Sequence, residues 1–407
     1  MSRHTAALRR HDPFLVAVCA LGIAQITAWG TSYYCLGVLA GPIAAETGWS
    51  RSLVYFGFTV SLLAMGAVSA WAGRAIDRHG ARAIMSAGTV IVSLGLYALS
   101  LARDEWTYLA LWAVLGVGMR LCLYDAAFAA LVQVVPTRGR RAISYLTLFG
   151  AFASTVFWVV GHYLNEAGGW RQTLVLFAAI NLAVCLPLNW IGLWRREPAG
   201  KADEVATASP SRDGPPLASS KRIVAMALFA LVMSLNGFVF SVVAVQLVPL
   251  LEVTGLATAA AVWVASLKGF AQFGGRVVEI VFGRNLHAIT VGRIAIGVLP
   301  VSFVLLLFPG GGFPAIVAFT LLMGASQGVI TIVRGAVPLA LFGSNGYGAV
   351  LGMLATPVLI VNAASPTLFA LIVDRWGWPA GQTALVAASA ASCAAMELMA
   401  RWYRRSR

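Results

Sequence analysis

The chain has 407 residues, of which 59% are hydrophobic and 11% are charged, and its mean hydropathy is +0.82. A soluble domain carries about 25% charged residues, so this composition excludes a water-soluble globular protein. The net charge of +14 does not indicate a nucleic-acid partner, because the charges lie between apolar segments and at the chain ends. The five cysteines are scattered within apolar segments, which predicts neither a disulfide framework nor a metal site.

Twelve apolar segments follow one another along the chain, and each is long enough to cross a bilayer as a helix. Lipid cannot satisfy an open backbone, so spanning segments of this kind must be helical. We therefore predict an all-α membrane protein with spans near 14–40, 51–73, 82–102, 106–134, 140–165, 170–194, 222–251, 258–282, 288–309, 313–341, 345–372 and 378–402.

The distribution of cations predicts how the chain crosses the membrane. When the spans alternate in direction, 21 of the 29 lysines and arginines fall on one side and four on the other. Short loops on the cytoplasmic side are rich in such cations. We therefore expect a multi-pass protein of the bacterial inner (plasma) membrane, with both termini in the cytoplasm.

A hydrophilic stretch at 195–221 connects the sixth and seventh apolar segments. It contains four prolines, several serines and charges of both signs, so it cannot bury a core of its own. We predict an N-terminal six-helix bundle at 1–194, a cytoplasmic linker at 195–221 and a C-terminal six-helix bundle at 222–407.

The two predicted bundles repeat each other at an offset of 208 residues. The aligned positions include two glycine pairs and one tryptophan pair: Gly116 with Gly324, Gly169 with Gly377, and Trp170 with Trp378. Parallel repeats of this kind place a substrate site at their interface near the bilayer midplane, and they work by alternating access.

A polar stretch at 73–82 separates the second and third apolar segments, and we predict a ten-residue hinge there. It fits the pattern G-x-x-x-D-R-x-G-x-R at Gly73, Asp77, Arg78, Gly80 and Arg82. The pattern resembles the helix 2–3 signature of the major facilitator superfamily of transporters. The resemblance implies twelve transmembrane helices in two pseudo-symmetric six-helix bundles, and it gives these five residues a role in conformational change.

The same resemblance implies a partner for Asp77. In that superfamily the aspartate at this position braces the start of the eleventh helix when the cytoplasmic side is closed. Here the eleventh helix is predicted to follow residues 343–346, and the free amides at a helix start favour a carboxylate. The alternative is that Asp77 is a solvated loop charge.

Within the superfamily, the first half of the chain resembles the oxalate/formate and monocarboxylate transporter group. The similar residues are 37–43 (GVLAGPI), Glu46, 48–51 (GWSR), Phe58-Thr59 and 168–171 (GGWR). The resemblance implies a carboxylate substrate.

One position departs from that group, which places an arginine in the middle of the eighth helix. Here Arg276 falls near the predicted cytoplasmic end, and the cation in mid-helix is Lys268. We interpret Lys268 as the candidate substrate cation, with snorkelling to the interface as the alternative.

Two further ionisable residues lie within apolar segments and are candidates for proton coupling. Asp125 in the fourth segment and Arg334 in the tenth lie one position apart at the 208-residue offset, so we expect them at similar depth. We predict that a bridge between them closes an inner gate and opens when Asp125 binds a proton. The alternative is that Asp125 forms a static pair with Arg120, which lies five residues earlier, or with a hydroxyl group of the fifth helix. Arg120 is itself a weaker candidate.

The first apolar segment carries Gln25, Trp29 and Tyr33 at a spacing of four residues, which places them on one helix face. This face suits a small polar or aromatic solute, and Asn236 in the seventh segment is its predicted counterpart. The alternative for the rings is an interface belt or plain helix packing.

The sequence contains no Walker loop, zinc-ligand spacing, catalytic triad or dinucleotide fingerprint, so we predict no enzyme activity, no cofactor and no metal. The leading hypothesis is a monomeric, proton-coupled symporter of the lipid bilayer that moves a small organic solute, a monocarboxylate-type anion, by alternating access. The alternative is an exporter of drug-like or heteroaromatic (vitamin-like) metabolites. A transporter-like receptor is the remote alternative.

Overall fold

The computed structural model describes residues 12–197, 216–307 and 312–406. Within these ranges every regular element is a helix and no strand occurs, as the hydropathy of the sequence predicts. The predicted linker at 195–221 lies mostly on residues 198–215, which are outside the described residues.

We number the spanning helices α1 to α12 in chain order. The first six are Pro13–Thr47, Arg51–His79, Ala81–Ser100, Glu105–Val134, and the two parts, 136–168 and 170–192, of the helical stretch Pro136–Gly192. The other six are Ser219–Glu252, Thr258–Phe282, Ala288–Leu307, Gly312–Phe342, and the two parts, 347–376 and 378–406, of the stretch Tyr347–Ser406.

The count of twelve follows from length, hydropathy and two backbone breaks. In the described ranges, nine helical stretches are long and apolar enough to cross a membrane. The two longest, of 57 and 60 residues, are each interrupted at a glycine, so each contains two spans. The remaining span is α8, which is less apolar because it carries Lys268, Arg276 and Glu279.

These helices form two compact units, which we describe separately. Unit 1 comprises Met1–Ser211 together with Ser344–Thr356, and unit 2 comprises Arg212–Gly343 together with Pro357–Arg407. Helices α1 to α6 and the first turns of α11 therefore belong to unit 1.

In unit 1, a single residue connects α2 and α3. Helix α2 continues to His79, and Gly80, with φ 84° and ψ 142°, alone separates it from α3. The prediction of a ten-residue hinge at 73–82 is therefore wrong. The polar residues continue the helix because Arg78 and His79 in its last turn suit the negative end of the helix dipole.

Glycines bring the first turns of α11 into backbone contact with α2. A Cβ atom at Gly73 would lie 2.1 Å from the Gly348 oxygen, and one at Gly352 would lie 2.3 Å from the Ser69 oxygen. Only residues without a side chain allow helices to approach this closely. The first turns of α11 are therefore fixed to unit 1 by shape as well as by hydrogen bonds.

Arg171 holds together the C-terminal ends of α1 and α3 and the N-terminal end of α6. Its Nε donates to Glu46 Oε1 at 2.8 Å, and its Nη1 donates to the carbonyl oxygens of Ser100 and Ala102 at 2.6 and 2.9 Å. Glu46 and Arg171 belong to the stretches that resemble the monocarboxylate group. In this structure both residues hold helix ends together, which is a structural role.

In unit 2, α10 packs closely against α8 and α9. A Cβ atom at Gly328 of α10 would lie 2.2 Å from the Gln272 oxygen of α8. Ser326 Oγ donates to the Ala295 oxygen of α9 at 2.7 Å. Helix α10 therefore forms the core of this unit together with its two neighbours.

The repeat at 208 residues extends to backbone conformation. Gly169 has φ 75° and ψ 172°, and Gly377 has φ 78° and ψ 173°, so α5–α6 and α11–α12 are joined by the same turn. Gly116 lies against the backbone of α2, as Gly324 does against that of α8. The two six-helix bundles thus share a backbone plan.

We predict that Gly377→Ala lowers the stability of the purified protein by about 1–3 kcal/mol, because φ 78° with ψ 173° is a conformation that essentially only glycine adopts without strain. The nearest atom to a Cβ there is Pro379 Cδ at 3.6 Å, so no clash contributes. The measurement is the midpoint of thermal unfolding in detergent.

The matched control for this substitution is Gly274→Ala. Gly274 is helical in α8 with nothing within 4 Å of its Cβ position, so alanine there should leave the midpoint unchanged or raise it. Equal midpoints for the two variants would contradict the strained turn.

Candidate functional site

Five aromatic rings of unit 1 form one cluster, and every ring is partly exposed. The Trp29 ring centroid lies 4.6 Å from that of Tyr33 and 4.9 Å from that of Tyr124. Tyr33 also contacts Phe58 edge-on at 4.8 Å, and Tyr34 lies 5.9 Å from Trp29. We call these five residues the ring cluster. It includes Trp29 and Tyr33, which the sequence places on one helix face.

The ring cluster lies where helix α1 widens. Residues Trp29–Tyr33 form a π-helical turn, and α6 has a second π-helical turn at Asn181–Cys185. The two turns are joined by a hydrogen bond of 2.6 Å from Asn181 Nδ2 to Thr31 Oγ1. Single π-helical turns often occur at functional sites, because they displace side chains from the regular helical register.

Gln25 supports the ring cluster through both ends of its buried amide. Its Nε2 donates to the Cys122 oxygen at 2.8 Å, and its Oε1 accepts from Trp29 Nε1 at 3.0 Å. The amide thereby fixes the orientation of the Trp29 indole against helix α4. Its predicted role as a direct substrate ligand stays a prediction, since both ends of the amide are engaged in this structure.

Helix α4 is broken beside the ring cluster. Leu123 has φ −82° and ψ −165°, which divides the helix into Glu105–Cys122 and Tyr124–Val134. The break places Arg120 in the last turn of the first part and Asp125 in the first turn of the second. Each charge therefore faces the end of a helix dipole that favours it.

Arg120 and Asp125 form a buried ion pair across this break. Arg120 Nη1 donates to Asp125 Oδ2 at 2.5 Å, and the two residues are 4% and 6% exposed. The pair is the alternative that the sequence left open. The predicted bridge between Asp125 and Arg334 stays a prediction, because Arg334 belongs to unit 2.

In unit 2, the ammonium group of Lys268 lies near an aromatic ring, and the residue as a whole is partly exposed. Its Nζ is 5.8 Å from the ring centroid of Phe240 on α7. Across the described residues of this unit, Lys268 has no hydrogen bond or ion pair to a side chain. Its predicted role as a substrate cation stays a prediction.

Two buried amides of unit 2 have unsatisfied atoms within the described ranges. Asn236 on α7 lacks a partner for Nδ2, and Gln327 on α10 lacks one for both Nε2 and Oε1. Gln327 is only 3% exposed. It shares a helix face with Arg334, which lies seven residues further on. Buried polar atoms are normally paired, so an unsatisfied amide indicates a group that a ligand or another conformation engages.

The residues of the predicted conformational motif lie together at the end of α2. The Asp77 carboxylate accepts from the backbone nitrogen atoms of Gly348 at 3.0 Å and Ala349 at 2.7 Å, at the start of α11. This is the contact that the superfamily resemblance implies. Arg78 is exposed, and the Arg82 guanidinium lies between the rings of Trp190 and Trp194, at 3.6 and 4.0 Å from their centroids.

Sequence reasoning missed two parts of the ring cluster. Tyr124 is brought to Trp29 by the break at Leu123, and neither glycine nor proline occurs near that position to indicate a break. The sequence analysis named Phe58 only as part of the resemblance to the monocarboxylate group and did not place it in a site. The signal that could have indicated Tyr124 is its position beside Asp125, an acidic residue within an apolar segment.

These features define the class: a multi-pass helical membrane protein with two repeated six-helix bundles, broken helices and buried charges. The family model described as Major Facilitator Superfamily matches residues 21–313. The chain belongs to the Major Facilitator Superfamily, whose members are transporters and not enzymes. The narrower resemblance to the oxalate/formate and monocarboxylate group has no counterpart among the relatives below.

Curated relatives match part of the chain. It is 26% identical over 170 residues to the multidrug resistance protein MdtL of Citrobacter koseri, covering 42% of this chain and 43% of that protein. It is 26% identical over 186 residues to MdtL of Escherichia coli, covering 46% of each. The chain thus spans less than half the length of these relatives.

Solved structures of transporters share the fold over nearly the whole chain. The human organic anion transporter MFSD10 (TETRAN) has a TM-score of 0.74 at 17% identity, covering 96% of this chain and 100% of that one. The transporter FucP in its outward conformation has a TM-score of 0.72 at 15% identity, covering 95% and 99%. At these identities the likeness concerns the fold alone.

We predict opposite effects for the two buried glutamines. Gln25→Met leaves the Cys122 oxygen and the Trp29 Nε1 without partners, so it should cost about 1–3 kcal/mol of stability. Gln327→Met removes an amide that has no partner among the described residues, so it should stabilise the protein by about 1–2 kcal/mol. Thermal unfolding in detergent without added solute measures both; a lower midpoint for Gln327→Met would show that its amide is structural.

Asp77→Asn replaces an acceptor oxygen by an amide donor, so the amides of Gly348 and Ala349 should exchange hydrogen at least about tenfold faster. Gly73→Ala should have the same effect through its clash with the Gly348 oxygen. Hydrogen–deuterium exchange with mass spectrometry measures the rate. Arg74→Gln, which changes an exposed neighbour, is the control, and unchanged exchange in Asp77→Asn would refute the brace.

Proposed function

We propose that this transporter is an exporter of aromatic organic solutes, of the drug-like or heteroaromatic kind. The observation that carries the proposal is the ring cluster at the π-helical turn of α1. Aromatic faces stack on flat solutes and attract organic cations, and each such contact is worth about 0.5–2 kcal/mol. All five rings are partly exposed, so each keeps ring surface that a solute can contact.

The partial relationship to multidrug resistance proteins supports the same proposal. The matched segments of MdtL cover less than half of each relative, so they support a class of solute and not a particular one. An aromatic surface binds through shape and polarisability, which suits a transporter that accepts several related solutes.

A second candidate function is transport of a monocarboxylate-type anion, and Lys268 favours it. An ammonium group in mid-helix that has no ion pair among the described residues is suited to receive a carboxylate. Both the second candidate and the leading one need the same fold. They differ in the residues that contact the solute, which are the ring cluster of unit 1 for the exporter and Lys268 of unit 2 for the carboxylate carrier.

We also propose that proton binding at Asp125 couples transport to a gradient. Protonation removes the charge that holds Arg120 across the break in α4, which frees the two parts of the helix to move. Arg334 on α10 is the proposed partner of Asp125 in another step of the cycle. The proposal further includes cytoplasmic termini, a location in the bacterial inner membrane and a monomeric working state.

The test is solute and proton movement in proteoliposomes under an imposed pH gradient, with ethidium, riboflavin and lactate as the solutes. Wild type should move the aromatic solutes, and Trp29→Leu or Tyr124→Leu should lower the initial rate about tenfold, which corresponds to the loss of one aromatic contact. Asp125→Asn should abolish the proton-linked component. Trp106→Leu is the matched control, since Trp106 is 82% exposed and lies outside the ring cluster.

The lactate arm distinguishes the second candidate. The exporter proposal is wrong if the wild-type protein moves lactate and neither aromatic solute. The carboxylate carrier is then supported if Lys268→Gln abolishes lactate movement while Lys221→Gln and Trp29→Leu leave it unchanged. Movement of aromatic solutes at the wild-type rate in Trp29→Leu and Tyr124→Leu would also contradict the exporter proposal.

A further inference from the structure

A polar cavity of about 450 Å³ lies at the end of α2, away from the ring cluster. All of its walls belong to unit 1: the α2–α3 turn, Gln133 of α4, Arg196 beyond α6, and residues 344–346 before α11. The volume lies within the range of small-ligand sites, about 300–1,000 Å³. Neither the aromatic-solute proposal nor the proton-coupling proposal uses this cavity.

Cations dominate the charge of this cavity. Arg78 and Arg196 line it with exposed guanidinium groups, and His79 adds an imidazole. The one carboxylate of the lining is Asp77, and each of its oxygen atoms already accepts a backbone N–H at the start of α11. The lining is therefore suited to an anion.

The backbone around these arginines is held firmly. Gln133 Nε2 donates to the Ile76 oxygen at 3.1 Å, and its Oε1 accepts from the Ala81 nitrogen at 3.0 Å, which fixes the turn at Gly80. On the opposite wall, the Glu197 nitrogen donates to the Val134 oxygen at 2.8 Å, next to Arg196. A fixed backbone keeps the two arginines at the same cavity, and a planar guanidinium group can then make bidentate contacts to a phosphate.

We propose that this cavity binds a phosphate ester through Arg78 and Arg196. The planar guanidinium donors match phosphate oxygens, and Ser344 and Asn345 add neutral polar groups at the same cavity. The phosphate could come from a phospholipid headgroup or from a soluble metabolite. Exposed Trp190 and Trp194 beside Arg82 indicate the headgroup level of a bilayer, which places the lipid source within reach.

The site has a conformational consequence. Its walls include residues 344–346, so it is complete only when the first turns of α11 lie against α2 as they do here. A ligand that binds this arrangement stabilises the Asp77 contact to Gly348 and Ala349 by the free energy of its preferential binding. The phosphate ester would thus act as a regulator of the cycle and not as the transported solute.

The test is binding by native mass spectrometry to the full chain in detergent. The probes are pyrophosphate, dioleoylphosphatidylglycerol, and dioleoylglycerol as a lipid without phosphate. We expect at least one phosphate probe to bind the wild-type protein. Dioleoylglycerol lacks the phosphate, so it should bind the wild-type protein no more tightly than it binds the variants. The double variant Arg78→Gln/Arg196→Gln should weaken the phosphate probe at least about tenfold, since two charge-assisted contacts are lost.

The matched control is Arg195→Gln. Arg195 is an exposed arginine next to Arg196 that does not line the cavity, so this variant removes a positive charge of the same kind outside the site. Binding of the lipid alone assigns a headgroup site, and binding of pyrophosphate assigns a soluble ligand. Equal loss in Arg195→Gln and in the double variant, or no phosphate probe bound by wild type, would overturn the proposal.

A second readout separates binding from misfolding and is independent of transport. In wild type, the bound phosphate probe should slow hydrogen exchange at Gly348 and Ala349, while the double variant should keep its wild-type unfolding midpoint and show no slowing. Slowing of the same size in the double variant would refute the assignment of Arg78 and Arg196.

Discussion

Lipid offers no hydrogen bonds, so each interruption of a spanning helix in this protein needs a partner from within the protein. The break in α4 is repaired by Gln25, which donates to the Cys122 oxygen. Where α2 ends in the polar stretch between two apolar segments, Gln133 closes the turn to α3 and Asp77 accepts from the first amides of α11. Three side chains of unit 1 therefore make irregular backbone tolerable, and all three lie beside the candidate sites.

The same constraint explains where the buried charges occur. An ionised side chain in mid-membrane costs a few kcal/mol, and pairing within a broken helix reduces that cost. The break at Leu123 brings Arg120 and Asp125 together and gives each a favourable helix end. Neutralising Asp125 would remove both advantages, so a single proton can change the energy of this helix. The proposed proton coupling depends on this pair.

The two units share a backbone plan but differ in how their polar groups are used. In unit 1, Gln25 and the Arg120–Asp125 pair are engaged, and the rings of the ring cluster are partly exposed. In unit 2, Gln327 and Asn236 retain unsatisfied amide atoms within the described ranges. Unit 1 also has unsatisfied buried atoms among the described residues, such as Trp112 Nε1 and Asn189 Oδ1, so the difference concerns these site residues and not the units as a whole.

The sequence by itself determined the fold class, because hydropathy and the absence of hydrogen bonds in lipid leave only helices of a set length. It also indicated the glycine turns at Gly169 and Gly377 through the 208-residue repeat, since only glycine adopts that φ without strain. The motif around Asp77 was recognisable from spacing. The sequence did not show that residues 73–79 are helical, because a polar helix end and a loop have the same composition.

The tertiary structure alone decided which side chains meet. The break at Leu123 joins Tyr124 to Trp29 and Asp125 to Arg120, and nothing in the local sequence marks it. The cavity at Arg78 and Arg196 combines residues more than a hundred positions apart. Such contacts depend on how whole helices pack, and packing is a property of many residues at once, which a periodicity of 3.6 residues cannot encode.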